Sequence, residues 1–205
     1  NFELNITTIT SLISMLSNVG RFKEAQEIYA DLKNNKFGKH VIPNNYTISI
    51  MINLYGKIGK PEEAIKMFQN LSNGTFGQDV KIDTVTLSSM MTLFGKAGKA
   101  EDALLLFNDM RRERFGLEGK VDIISINSII DILGKAKRTQ EVEQLFDQLK
   151  RKEFGNNIQV DIRIINSLIR HCSRFRRLEV LCFMIELGIH PNEYILPTFV
   201  YYPDD

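Results

Sequence analysis

Apolar residues along this chain recur with a helical period, stop, and recur again. Leu87, Met90, Met91 and Phe94 stand at i, i+3, i+4 and i+7, which makes one apolar helical face. The run halts at Gly98, a helix-stop residue, and resumes with Ala103, Leu104, Phe107 and Met110. The pattern predicts two short amphipathic helices joined by a tight turn. In the preceding pair, Pro61 stands just inside the second helix, followed by Glu62 and Glu63. Proline loses nothing in a first helical turn, and acids suit its positive dipole end.

The pair repeats with a period of 39 residues, kept in register by Gly20, Gly59 and Gly98. Ile13, Ile52, Met91, Ile130 and Ile169 hold the same phase, as do Tyr29, Phe68, Phe107 and Phe146. So do Phe37, Phe76, Phe115 and Phe154, each followed by glycine. The expected repeats are 6–44, 45–83, 84–122, 123–161 and a shorter 162–192, with a partial capping unit at 193–205 that forms a short helix near 193–200. The connectors end in Pro43-Asn44, Ile82-Asp83, Val121-Asp122 and Val160-Asp161, where the Asn or Asp can cap the next helix. One hairpin cannot bury both its apolar faces, whereas stacked hairpins can. The fold class predicted is all-α, a right-handed α-α superhelix (solenoid) of about five helical-hairpin repeats, with function along its concave face.

Composition narrows the chemistry. The chain has 205 residues, of which 43% are hydrophobic, too many for a disordered chain. No apolar run approaches the ~18 residues of a membrane span, so membrane insertion is not expected. Lys plus Arg number 26 against 25 acids, so a polyanionic partner must be met by local placement of charge. Cys172 and Cys182 lack the spacing of a metal site, and His40, His171 and His190 are isolated, so no metal or other cofactor is expected. Both thiols are expected to be buried and reduced. Gly56, Gly95 and Gly134 precede no Gly-Lys-Ser/Thr loop and read as close approaches between helices. There is no His-x-Glu with a downstream Cys-x-x-Cys and no clustered metal carboxylates, so the expectation is a protein that is not an enzyme.

The stretches MINLYGKIGKPEEAIKMF (51–68), MMTLFGKAGKAEDALLLF (90–107) and IIDILGKAKRTQEVEQLF (129–146) resemble pentatricopeptide repeats. These units are longer than the family's usual repeat, and the excess falls in the connector that carries Phe-Gly. The resemblance implies binding of single-stranded RNA in a mitochondrion or plastid, one base per repeat, in RNA processing, stability or translation. It also implies paired base readers: Thr10 with Asn44, Ser49 with Asp83, Ser88 with Asp122, Asn127 with Asp161, and Asn166 with Asn192. The implied bases are A, G, G, U and a pyrimidine. Pro197 at the reader position of the capping unit leaves that unit without a reader. The residues implied to stack on bases are Tyr46, Val85, Ile124 and Arg163, with Thr7 a poor wedge in the first repeat.

Two bland readings stand beside these. The terminal Asn or Asp of each repeat can serve only as a helix cap. Lys57, Lys96, Lys135 and Arg174 lie 39 apart, placed at the ends of first helices, with Asn18 breaking the row. Such a row can track phosphates or merely complement helix dipoles. The rival to RNA binding is a protein-interaction scaffold, for example a repeat subunit of a large ribonucleoprotein such as an organellar ribosome.

Overall fold

The structure, a computed structural model, describes residues 5–76, 80–116, 120–191 and Ile195. Asn192, Pro197 and the expected helix near 193–200 lie outside the described residues. Ten helices are found among the described residues: α1 (Ile6–Asn18), α2 (Phe22–Lys33), α3 (Asn45–Lys57), α4 (Pro61–Ser72), α5 (Thr84–Lys96), α6 (Ala100–Arg111), α7 (Ile123–Lys135), α8 (Thr139–Lys150), α9 (Ile162–His171) and α10 (Arg174–Glu186). No strand occurs among these residues.

The chain divides into two compact units. One holds Asn1–Lys99 with Glu113–Lys120, and the other holds Ala100–Arg112 with Val121–Asp205. In the first unit α3 lies between α1 and α5, around a core of Ile13, Ile48, Met51, Ile52, Leu87 and Met90. In the second, α7 packs on α6, α8 and α9, around Phe107, Ile126, Ile129, Ile130, Leu133, Phe146 and Ile165.

Local chemistry sets the helix starts. Asn5, Asn44, Asp83 and Asp122 each accept from the backbone N–H three residues on, at 2.8–2.9 Å. Asp161 does the same for Ile164 at 3.2 Å. Each such cap stabilises its helix by ~1 kcal/mol. The second helices have no such cap. Instead the hairpin turn passes through left-handed Gly20, Gly59 and Gly98, at φ 81°, 70° and 68°. The amides of Arg21, Lys60 and Lys99 then bond back to Leu16, Tyr55 and Phe94, which satisfies carbonyls at the ends of α1, α3 and α5. In the fourth repeat Lys137 takes the same left-handed conformation at φ 59°.

The fifth repeat departs from this plan. Its first helix is shorter: α9 has 10 residues and ends at His171, and the chain leaves through extended Cys172 into α10. This corrects the expectation for Arg174. It is the first residue of α10 and not the last of a first helix, so it stands at the positive end of a dipole.

The connector phenylalanines serve packing. Phe115 meets Phe68 at 6.2 Å between ring centroids in the first unit, and Phe154 meets Phe107 at 5.9 Å in the second. The glycines that follow connector phenylalanines do not cap helices. Gly38, Gly116 and Gly155 lie in the connector with positive φ, beyond helices that end at Lys33, Arg111 and Lys150. Of the glycines expected to admit close helices, Gly134 fits: a Cβ there collides with the His171 ring. At Gly56 it makes only ordinary contact with Leu93, 3.6 Å away.

Candidate nucleic-acid interface

The capping residues bring helix starts together at two grooves. In the first unit a groove of about 420 Å³ is lined by Asn44, Asn45, Tyr46, Asp83 and Val85. The Asp83 carboxylate uses Oδ1 for the Thr86 N–H, at 2.8 Å, while its Oδ2 accepts from Asn45 Nδ2 at 3.2 Å. Tyr46 and Val85, each 56% exposed, supply apolar walls.

The groove of the second unit, about 460 Å³, differs in lining. Asp122 and Asp161 are there, joined by Val121, Ile123 and the connector residues Asn157, Ile158, Gln159 and Val160. Ile124 is 52% exposed but does not line it. Arg163 turns back onto Asp161, with Nε donating to Oδ2 at 2.8 Å and a guanidinium NH₂ group 2.6 Å from the same oxygen. The reach of a guanidinium to its own helix cap explains why this side chain is not displayed as a flat platform.

The early members of the implied reader pairs are less open than the sequence suggests. Thr10 is 1% exposed and shares a hydrogen bond with Thr47 at 2.8 Å, and Ser49 is 2% exposed and shares one with Thr86 at 2.9 Å. Ser88, Asn127 and Asn166 are half-buried. Asn127 Oδ1 accepts from Ser167 at 2.9 Å. Asn166 Oδ1 is buried and has no partner. Small hydroxyls at positions 10 and 49 thus have a packing purpose that the sequence did not show: they tie one first helix to the next. Asn44, Asp83, Asp122 and Asp161 are the caps described above.

Among the cations, Lys57 is the last residue of α3. Its Nζ donates to the Ser17 carbonyl at 3.4 Å and to Asn18 Oδ1 at 3.2 Å, at the end of α1. The residue that breaks the row is therefore the acceptor for its neighbour. Lys96 and Lys135 end α5 and α7 and are exposed.

The remaining titratable groups belong to structure. Burial, and the nearby Glu143, push the Cys172 thiol up to about 12, which keeps it protonated and unreactive. Cys182 is exposed, against the expectation that both thiols are buried. A hydrogen bond from His171, 3.2 Å from Asp131, holds the Asp131 carboxyl below the usual range. No group of His, Cys, Asp and Glu among the described residues is arranged to hold a metal ion. No described helix is long and apolar enough to cross a membrane.

The same arrangement of hairpins occurs in known proteins. The maize pentatricopeptide repeat protein PPR10 superposes with a TM-score of 0.75 at 17% identity, covering 94% of this chain and 26% of that one. PPR10 in complex with an 18-nucleotide psaJ RNA element gives 0.68 at 18% identity, over 96% of this chain and 26% of that one. The nuclear proteinaceous RNase P 2 of A. thaliana gives 0.70 at 10% identity, over 96% of this chain and 42% of that one. The chain thus spans about a quarter of the maize protein and less than half of the A. thaliana one. No curated protein sequence matches it. The profile of the PPR repeat matches residues 46–72, 85–115 and 124–154, and that of the pentatricopeptide repeat domain matches 1–58. With well over half of its length matched and its hairpins folded in the same way, the chain belongs to the pentatricopeptide repeat family.

Proposed function

We propose that this chain binds single-stranded RNA along its first helices, one base per repeat, and that it acts without catalysis in the RNA processing, stability or translation of a mitochondrion or plastid. The observation that carries the reading is the groove of the first unit, where exposed Tyr46 and Val85 flank a fixed carboxylate. A base slides between apolar walls and presents its edge to the acid, which is how unpaired bases are read. Membership of the family and the fold shared with an RNA-bound relative support it. The pairs Thr10–Asn44, Ser49–Asp83, Ser88–Asp122 and Asn127–Asp161 then select A, G, G and U. Selection from a random single-stranded RNA library tests this. Enrichment of AGGU is the expected result, and flat enrichment refutes base reading.

A scaffold within a ribonucleoprotein is the second reading, favoured by one observation. α10 presents Phe175, Leu178 and Ile185 to solvent, at 88%, 64% and 70% exposure. Salt dependence separates the two. Phosphate contacts by Lys57, Lys96 and Lys135 lower the salt slope by ~0.7 each when the lysines are changed to Ala, and leave base preference intact. If the lysines serve only their helix ends, the slope stays and the melting midpoint falls.

A further inference from the structure

We infer that Asn45 is a positioning residue that sharpens the base choice of the first-unit groove towards guanine. The inference rests on the RNA-reading proposal above and adds a residue outside its reader pairs.

Asp83 has two oxygens with separate duties. Oδ1 is committed to the start of α5 through the Thr86 N–H, at 2.8 Å. Oδ2 accepts from Asn45 Nδ2 at 3.2 Å, and both residues line the groove. A carboxylate gripped at only one oxygen swings about its side-chain torsions, and one gripped at both presents its remaining lone pairs in a fixed direction.

The Asn45 amide is itself unbalanced. Its Oδ1 is buried and has no hydrogen-bond partner, a situation that native structures avoid because an unmet buried acceptor is costly. The amide therefore keeps its pose for the bond to Asp83. A carboxylate held in one direction favours a base edge with two adjacent donors. Guanine offers this with N1–H and N2–H₂. Adenine, cytosine and uracil each place an acceptor next to their donor.

No other first helix carries this side chain at its first position, where the residues are Ile6, Thr84, Ile123 and Ile162. The role is thus particular to one repeat.

The test uses the intact chain and single-stranded RNAs carrying AGGU, AAGU, AUGU or ACGU, with Asn45→Ile and Asn45→Thr copying residues found at this position elsewhere in the chain. Preference for guanine at the second base should fall about tenfold in both variants, the scale of one well-aligned base contact. Preference at the other three bases and the melting midpoint should hold. Asn45→Gln, which keeps the amide, should restore part of the selectivity. Unchanged guanine preference in folded Asn45→Ile and Asn45→Thr overturns the role of Asn45 alone. A wild-type chain that binds all four RNAs equally overturns the RNA-reading proposal, and this inference with it.

Discussion

In the first unit the groove beside Asp83 has apolar walls, Tyr46 and Val85, and its acid is gripped by an amide. In the second unit the groove beside Asp122 and Asp161 is lined instead by the connector residues Asn157–Val160, and Asp161 is closed by the guanidinium of Arg163. Both grooves grow from the same element, an Asp that caps a first helix. Only the neighbours differ, and they decide which side chains wall the acid. The long connector matters here, because residues 157–160 line the second groove. On the proposed function, the first unit reads its base by stacking and edge contacts, and the second reads with weaker stacking.

The most severe way to break the comparison is to remove the packing beneath it. Phe107 is fully buried and meets the Phe154 ring at a tilt, whereas its first-unit counterpart Phe68 is half-buried. Phe107→Ala should cost about 3–5 kcal/mol in a denaturant melt, and Phe68→Ala clearly less. Equal losses would show that the aromatic register is packed alike in both units.

Next in size are the walls. Tyr46→Ala should weaken binding of an AGGU-containing RNA by about 1–3 kcal/mol, the usual worth of one stacked base, while stability changes little. Arg163→Tyr should move the second unit the other way by freeing Asp161 and supplying a ring. Affinity at the fourth base should rise in a titration against the same RNA. If both variants bind like the parent, the difference between the grooves has no bearing on RNA.

A smaller effect sharpens the comparison at the hairpin turns. The first unit uses glycine at all three left-handed positions, and the second uses Lys137. A side chain in that conformation crowds its own carbonyl, so Lys137→Gly should stabilise by about 0.5–1 kcal/mol in urea melts. A loss of stability would mean that the Lys137 side chain makes a compensating contact.

The smallest effect is with acid. Asp131 stands where the first unit carries Asn53 and Thr92, which do not titrate. His171 depresses its folded pKa, so its contribution is present above the unfolded carboxyl pKa of about 3.9 and is lost as pH falls through the lower folded value. The stability gap between the parent and Asp131→Asn should therefore narrow below about pH 4. A gap constant from pH 6 to pH 3 would show that the carboxylate contributes no linked stability.

What could be read from the sequence was whatever depends on neighbours along the chain. The capping residues Asn44, Asp83, Asp122 and Asp161, the Gly20, Gly59 and Gly98 turns and the phased apolar positions each act within a few residues of themselves, so these helices start where the pattern places them. The Phe115 and Phe154 registers were legible as a repeat phase, although their ring partners were not. The site was read less completely because its chemistry joins residues about one repeat apart. Nothing in the local sequence shows that Lys57 reaches the end of α1, that Asn45 holds Asp83, or that Thr10 and Ser49 are bonded to the next first helix. Arg174 does not end a first helix, because the row of cations assumes first helices of one length and α9 stops at His171.

The buried hydroxyl bridges also bear on how base preference can change over time. Ser49 belongs at once to a reader pair and to the seam with Thr86, where it is 2% exposed. Enlarging it to Asn overfills that seam at a cost of about 1–3 kcal/mol unless Thr86 shrinks as well. The two positions are therefore epistatic, and a neutral route to a new specificity passes through the neighbouring repeat first. Asn127, already paired with Ser167 across a roomier contact, is the position from which recoding can start with a single substitution.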